Sequence, residues 1–394
     1  GRAGAPMRRW AEAVAGRRGR LASGGLGPST LAVAAALVLT AFADSIVFFY
    51  SPTDLATKDL PPDRRIRIGG IVVEDSVRKG PDGVTIEFRV TDIENTIRVS
   101  YRGILPALCT AFTDDGAQTD ADRQRALLRA LLEAGSQGFF VCGGTGEGKA
   151  MSVPERMNVA EVVADEVAGD VPIILQVGAC PTQDAVELAQ HAAHIQGIDA
   201  VASVAPIDHP NNLDAAVAHY RAIGAATQLP FYVYWLQGEA DRTATADRFL
   251  DAMGTVPNFA GIKFTDHNLY LFGQLIDRSG GRLNAISGPD EMALPAMCMG
   301  ADAAIGTTYN IMPKIFLEMR RAFDAGDLDT ARTCQLHANR VIRILMEVGV
   351  LAGVKVMLGW RGTPVGPPRV VPPLDEAGQR RLRAELDALD FEVI

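Results

Sequence analysis

From Ile104 onward the chain alternates short apolar runs with amphipathic stretches, and this alternation limits the possible folds more than any other feature. The apolar runs lie near 104–110, 138–142, 172–177, 199–203, 230–235, 259–263, 283–287 and 303–306. Between them come stretches of helical periodicity such as Asp122–Ala134, Pro154–Val167 and Asp184–His194. Strands that alternate with helices pair in parallel, and eight such steps in roughly 200 residues predict an α/β fold, a parallel (β/α)8 TIM barrel. Extra helices are expected after residue 310. Gly135 and Gly197 stand where helices should stop.

The 394 residues exceed one barrel of ~250 residues, so an appendage is expected in front of it. Six arginines (Arg2, Arg8, Arg9, Arg17, Arg18, Arg20) face one acid, Glu12, in residues 1–20. Ser29–Tyr50 follows, 22 residues with the apolar core Leu31–Ala43. That is long enough for a bilayer core of ~30 Å, and the preceding arginines put the N-terminus on the cytoplasmic side. A transmembrane anchor over 29–50 is therefore expected; a signal peptide cleaved near Thr40–Ala43 and a buried helix are the alternatives. Residues 64–102 change character. Arg65–Val73, Gly83–Val90 and Thr96–Tyr101 alternate apolar and polar residues, and Gly80-Pro-Asp-Gly83 is a turn between two of these runs. This predicts a small antiparallel β unit, OB-like and incomplete. The expected organisation is a basic segment 1–28, an anchor 29–50, a truncated OB-like domain 51–102, a barrel 103–310 and a C-terminal helical extension 311–394. The formal charge of −9 argues against a nucleic-acid partner. Five cysteines (Cys109, Cys142, Cys180, Cys298, Cys334) form no CxxC pair, which argues for buried free thiols over a disulfide framework or a metal site.

The strand ends carry the chemistry. Phe259-Ala-Gly-Ile-Lys-Phe-Thr-Asp266 reads as a buried strand with Lys263 at its C-terminal end, the end where parallel barrels place their reactive groups. Apolar neighbours there would disfavour the ammonium form and leave an amine able to attack a carbonyl; taken alone, a lysine at a strand end is ordinarily solvated. Strand two ends in Cys142-Gly-Gly-Thr-Gly-Glu-Gly148. Its spacing approaches a Walker loop, but Ala150 replaces the magnesium-binding hydroxyl residue. Glycines of this density let backbone N–H groups converge on an anion such as a carboxylate, or simply make a tight turn. On strand five, Tyr232 and Tyr234 point the same way, which plain packing into a barrel would also produce. Ser287-Gly-Pro-Asp-Glu291 opens a helix, so Asp290 and Glu291 are ligands or a helix N-cap. Strand eight leads into Gly306-Thr-Thr-Tyr-Asn310.

Together these stretches resemble the N-acetylneuraminate lyase branch of the dihydrodipicolinate synthase superfamily of class I aldolases. The residues carrying the resemblance are Gly143–Glu147, Tyr234, Gly261–Asp266, Gly288–Glu291, Ile305–Asn310 and the tail Gly362–Arg369. The resemblance implies an imine between Lys263 and the keto carbon of a 2-oxo acid, with Tyr234 moving the proton of the aldehyde oxygen. It implies that Gly144 and Thr145 hold the substrate carboxylate and that Thr265 lies near the imine. Gly288, Asp290, Glu291 and Thr307 would bind a polyhydroxylated tail. It further implies pyruvate and an aldehyde sugar as products, no cofactor beyond the lysine imine, a small-molecule 2-oxo acid or sugar acid as partner, and a homotetramer. Other pyruvate-dependent activities, including a dihydrodipicolinate synthase-like condensation or a dehydratase, remain alternatives, as does a sugar-acid-binding module without turnover. The chain departs from the family pattern at Gly144, where Ser or Thr is usual, at Trp235-Leu-Gln237 after the tyrosine, and at Ile207-Asp-His209.

The N-terminal part is similar to the membrane-anchored haem chaperone of cytochrome c maturation, through Ile46–Leu55, Arg67–Arg78 and Tyr101–Pro106. That resemblance implies haem delivery outside the cytoplasm. The family's haem-binding histidine has no counterpart: the six histidines (His191, His194, His209, His219, His267, His337) all fall in the barrel region, so no haem is expected. A genuine fusion would hold the aldolase outside the inner membrane. A join made by recombination or sequence assembly at Gly103–Leu108, which both families could supply, would leave the aldolase cytoplasmic.

Overall fold

The computed structural model describes residues 103–206, 212–236, 245–389 and 391, together with short strands at 49–50, 67–68, 71–72, 78–79, 86–91 and 96–99. The chain divides into two compact units, 1–70 and 71–394. In the first, Phe49–Tyr50 pairs in parallel with Arg67–Ile68. This corrects the expected anchor at its C-terminal end. Aromatic residues favour an extended strand, and Pro52 biases the residue before it away from helix. The rest of that span, 29–48, and the basic segment 1–28 lie outside the described residues. No helix among the described residues is long and apolar enough to cross a membrane.

The second unit begins with an antiparallel sheet centred on Ile86–Thr91. This strand pairs with Ile71–Val72 and Thr96–Val99, both within alternating runs read from the sequence, and with Arg78–Lys79, which lies outside them. The barrel follows. Its strands are β1 (Gly103–Pro106), β2 (Phe139–Val141), β3 (Ile173–Gln176), β4 (Ala200–Ser203), β5 (Phe231–Leu236), β6 (Phe259–Thr265), β7 (Asn284–Ser287) and β8 (Ala303–Gly306), in one parallel eight-stranded sheet. A parallel bridge Ala107↔Phe140 and the Leu108 N–H bond to the Phe140 carbonyl (2.9 Å) join β1 to β2 and close the ring. The helices are α1 (Ala121–Glu133), α2 (Val153–Val167), α3 (Thr182–His194), α4 (Leu213–Ala225), α5 (Ala246–Met253), α6 (Leu269–Arg278), α7 (Ala293–Cys298), α8 (Pro313–Asp324), α9 (Leu328–Val348), α10 (Val350–Trp360) and α11 (Glu376–Asp387). Local chemistry sets several helix starts. Asp120, Asn212, Thr245 and Asn268 cap α1, α4, α5 and α6, and Ser152 with Glu155 forms a capping box on α2.

Side-chain alternation along the strands makes two cores. Leu105, Phe140, Ile174, Ala202, Tyr232, Tyr234, Ile286 and Ile305 fill the barrel interior, and their strand neighbours pack outward under the helices. Two boundaries differ from the sequence reading. β1 ends at Pro106, and beyond Leu108 side chains hold the backbone: Asn310 Oδ1 accepts from Cys109 N–H (3.1 Å) and Gln124 Oε1 from Ala111 N–H (2.9 Å). β6 runs on to Thr265, past Lys263. All five cysteines are free; Cys109 and Cys142 are buried, Cys334 is half-buried, and Cys180 and Cys298 are exposed, in the turn before α3 and at the end of α7.

The C-terminal helices brace the mouth of the barrel. Lys355 of α10 reaches inward to Glu147, with Nζ 2.7 Å from Oε1 and both side chains sealed from solvent. Nζ also donates to the carbonyls of Thr110 (3.1 Å) and Pro367 (3.3 Å), and Glu147 Oε2 accepts from the Arg369 and Val370 amides. Removing one member of a buried ion pair leaves the other charge unpaired, at about 3–5 kcal/mol. Lys355→Met is therefore expected to lower the unfolding free energy by about that amount in urea titrations, with partial recovery on adding Glu147→Gln. A loss within about 0.5 kcal/mol, the size of an ordinary surface substitution, would contradict the role given to the pair.

Candidate active site

Lys263 lies on β6 between Tyr234 of β5 and Ile286 of β7, in register with both. It is 4% exposed, so the solvated strand-end lysine is not what the fold builds. Its Nζ stands 3.7 Å from the centroid of the Tyr234 ring and 4.4 Å from that of Phe140, and those two rings meet edge to face. Burial pushes the Lys263 amine down to about 7, partly opposed by the negative charge of Asp290. A large share of neutral, nucleophilic amine is thus present near neutral pH.

The glycine-rich turn stands beside Tyr234. Cys142 (φ 58°) and Glu147 (φ 53°) bracket it in the left-handed region that non-glycine residues rarely adopt. The buried grip on Glu147 described above is what can hold such a conformation. Gly148 is required by space, because a Cβ there would meet the Cys142 carbonyl oxygen at 2.0 Å. Within the turn, Glu147 N–H bonds the Gly144 carbonyl (3.0 Å) and Gly148 N–H that of Gly143 (3.1 Å). The amides of Gly144 and Thr145 have no internal acceptor among the described residues, so they are available to an anion. A Cβ at Gly144 would stand 3.7 Å from Tyr234 Oη, so the position is open toward the phenol. The Thr145 and Thr307 hydroxyls bond each other at 2.6 Å.

The segment after β7 completes the wall. Gly288 N–H bonds the Phe264 carbonyl (2.8 Å), and a Cβ at Gly288 would lie 1.9 Å from Thr265 Oγ1, so only glycine lets the two loops meet. Thr265 Oγ1 is buried without a hydrogen-bond partner among the described residues. Asp290 does not cap α7. Its carboxylate accepts from Thr307 N–H (3.2 Å), Thr308 N–H (2.6 Å) and Thr308 Oγ1 (2.6 Å), turning the β8 loop inward. Burial raises the Asp290 carboxyl to about 6 against the pull of these donors. Gln335 of α9 holds the Asp290 carbonyl from behind (3.1 Å). Glu291 is partly exposed, and its Oε1 lies 2.7 Å from His267 Nε2.

All nine site residues read from the sequence therefore lie on the loops or strand ends at the C-terminal side of the barrel. Lys263 meets Tyr234, Thr145 meets Thr307, Thr265 meets Gly288, and Asp290 meets the backbone of Thr307. Sequence reasoning missed Phe140, Lys355, Thr308 and His267. Lys355 had a usable signal, as the one charge in the apolar helix Val350–Trp360. Of the departures from the family pattern, Ile207–His209 and Gln237 lie outside the described residues. Trp235 turns away from the pocket to stack on Phe264, centroids 5.7 Å apart.

The sequence profile of the dihydrodipicolinate synthetase family matches residues 100–389, and that of the CcmE domain matches 46–116; the two overlap over 100–116. N-acetylneuraminate lyase of Mus musculus is 36% identical over 300 residues, covering 74% of this chain and 93% of its own length. The enzyme of the same name from Rhizobium meliloti is 35% identical over 273 residues, 69% of this chain and 89% of its own. Among solved structures, Proteus mirabilis N-acetylneuraminate lyase superposes with a TM-score of 0.69 at 30% identity, over 74% of this chain and 99% of its own. The Aliivibrio salmonicida enzyme gives 0.70 at 27%, over 74% and 98%.

The burial of Lys263 gives a direct expectation. In protein with ¹³C-labelled lysine, the Cε signal that disappears in Lys263→Ala should titrate near pH 7, well below the ordinary lysine value of ~10.4. A midpoint near the ordinary value would mean a solvated amine.

Proposed function

The chain belongs to the dihydrodipicolinate synthetase family, and from that premise we propose that it cleaves a 2-oxo sugar acid of the N-acetylneuraminate kind through an imine on Lys263. The chain is a pyruvate-dependent class I aldolase, a carbon–carbon lyase. The observation that carries the choice of nucleophile is the amine of Lys263, buried against the Tyr234 ring and brought to about 7.

The proposed sequence starts with the substrate carboxylate on the Gly144 and Thr145 amides, with the Thr145–Thr307 hydroxyl pair beside it. This would bring the C2 carbonyl to Lys263. Neutral Nζ attacks C2, water leaves, and the protonated imine becomes an electron sink. Tyr234 accepts the proton of the C4 hydroxyl as the C3–C4 bond breaks, and the bonding pair moves into the enamine while C4 leaves as an aldehyde. The enamine takes a proton at C3, and water then releases pyruvate and restores the amine. The unpartnered Thr265 hydroxyl would serve the imine region. Gly288 keeps the β7 loop close enough for Asp290 and Glu291 to face substrate hydroxyls, which donate to carboxylates. Those two acids favour a sugar tail over a dihydrodipicolinate synthase-like condensation. For the N-terminal segment, the CcmE match supports a haem-delivery reading, but the histidine such a role needs has no counterpart ahead of His191. Homotetramer assembly is proposed on family grounds alone.

Pyruvate release from N-acetylneuraminate, followed by coupled lactate dehydrogenase, tests the proposal. Wild-type protein should turn over, and Lys263→Ala should lose at least about 10³-fold in kcat; unimpaired turnover by the variant would remove Lys263 from the chemistry. The gap at Gly144 gives a second expectation. A serine there would place a hydroxyl next to Tyr234 Oη, adding a member to the proton path, and Gly144→Ser should raise kcat by about 3–10-fold. An unchanged or lower kcat would show that the path does not run past this position.

A further inference from the structure

We propose that His267, held by Glu291, is a specificity-determining residue that reads the hydroxylated far end of a long 2-oxo acid. The inference deepens the aldolase reading and rests on it. Asp290 and Glu291 are adjacent, but they are not equally free. Asp290 already accepts three hydrogen bonds from Thr307 and Thr308. Glu291 is the more exposed of the two, and its Oε1 lies 2.7 Å from His267 Nε2.

The location fits the role. His267 follows Thr265 by two residues on the loop leaving β6, the strand that bears Lys263. Glu291 follows Gly288 on the loop leaving β7, and these two loops touch where Gly288 meets Thr265. Both loops are fixed from below. Asp266 accepts from the Asn268 amide (3.0 Å) and from Trp235 Nε1 (3.4 Å), while Asn339 Nδ2 holds the Glu291 carbonyl (3.3 Å). The pair itself is open to solvent, with His267 58% and Glu291 27% exposed at the side chain. An exposed pair of this kind contributes little to stability, so it can be altered without unfolding the barrel.

Its chemistry selects a class of ligand. A carboxylate accepts only, whereas the free imidazole nitrogen, Nδ1, can donate or accept. Neighbouring hydroxyls on one carbon chain suit this set: one donates to Glu291, and the next bonds the imidazole. A nine-carbon 2-oxo acid offers such neighbouring hydroxyls beyond C6, and a six-carbon 2-oxo-3-deoxy acid has none there.

The test compares pyruvate release from N-acetylneuraminate and from 2-oxo-3-deoxygluconate by wild type, His267→Ala and His267→Gln. His267→Ala should lower kcat/KM for the nine-carbon acid about ten-fold, chiefly through KM, and change that for the six-carbon acid less than about two-fold. His267→Gln, which keeps a donor and an acceptor, should recover part of the loss. Equal losses on both acids, no loss on either, or a wild type that does not favour the longer acid would overturn the proposal. Failure of the underlying aldolase reading looks different: wild type then releases pyruvate from neither acid, and both readings fall together.

Discussion

The structure turns on the burial of one amine. Lys263 sits inside the barrel against the faces of two aromatic rings, where its charged form loses most of its hydration. In water a lysine at neutral pH is almost wholly ammonium and inert toward carbonyls. Here desolvation brings the amine to about 7, so exclusion of solvent leaves an amine able to act as the proposed nucleophile. Asp290 limits how far this goes. Its charge favours the ammonium form, and its own carboxyl is raised to about 6 by the same burial. The two groups are set against each other in one pocket, and three donors from Thr307 and Thr308 keep the acid in place.

The proposed chemistry needs a 2-oxo acid in one orientation, and the contacts around the rest of the mouth support that reading. The turn at Gly143–Gly146 exposes amides because Cys142 and Glu147 hold backbone angles that need outside support. That support comes from far along the chain: Lys355, Arg369 and Val370 all engage the Glu147 carboxylate. The C-terminal extension therefore braces the candidate site from behind, through Glu147. α9 acts similarly on the other wall through Gln335 and Asn339, which grip the backbone of Asp290 and Glu291.

The barrel was legible in the sequence because its signals are local. Eight apolar runs separated by amphipathic stretches have few other solutions, and the strands fall within a few residues of the runs. The places of Lys263, Tyr234 and the glycine turn at strand ends were legible from the pattern, while the roles expected of them came from the family resemblance. What stayed hidden depends on contacts between distant segments. Nothing near Asp290 in sequence says that its partners are Thr307 and Thr308, or that Glu291 rather than Asp290 pairs with His267. The Lys355–Glu147 pair, more than 200 residues apart, is of the same kind. At Phe49–Tyr50, hydropathy suggested a helix end, while the aromatic pair and the following proline favoured the extended form that is seen.

The proposed chemistry rests on Lys263 condensing, as a neutral amine, with the keto group of a 2-oxo acid. Incubation of the full chain with pyruvate and borohydride, followed by proteolysis and mass spectrometry, tests it directly. The account predicts one dominant adduct, a reduced pyruvate on the peptide carrying Lys263. An unmodified Lys263, or a pyruvate adduct spread over exposed lysines instead, would contradict it.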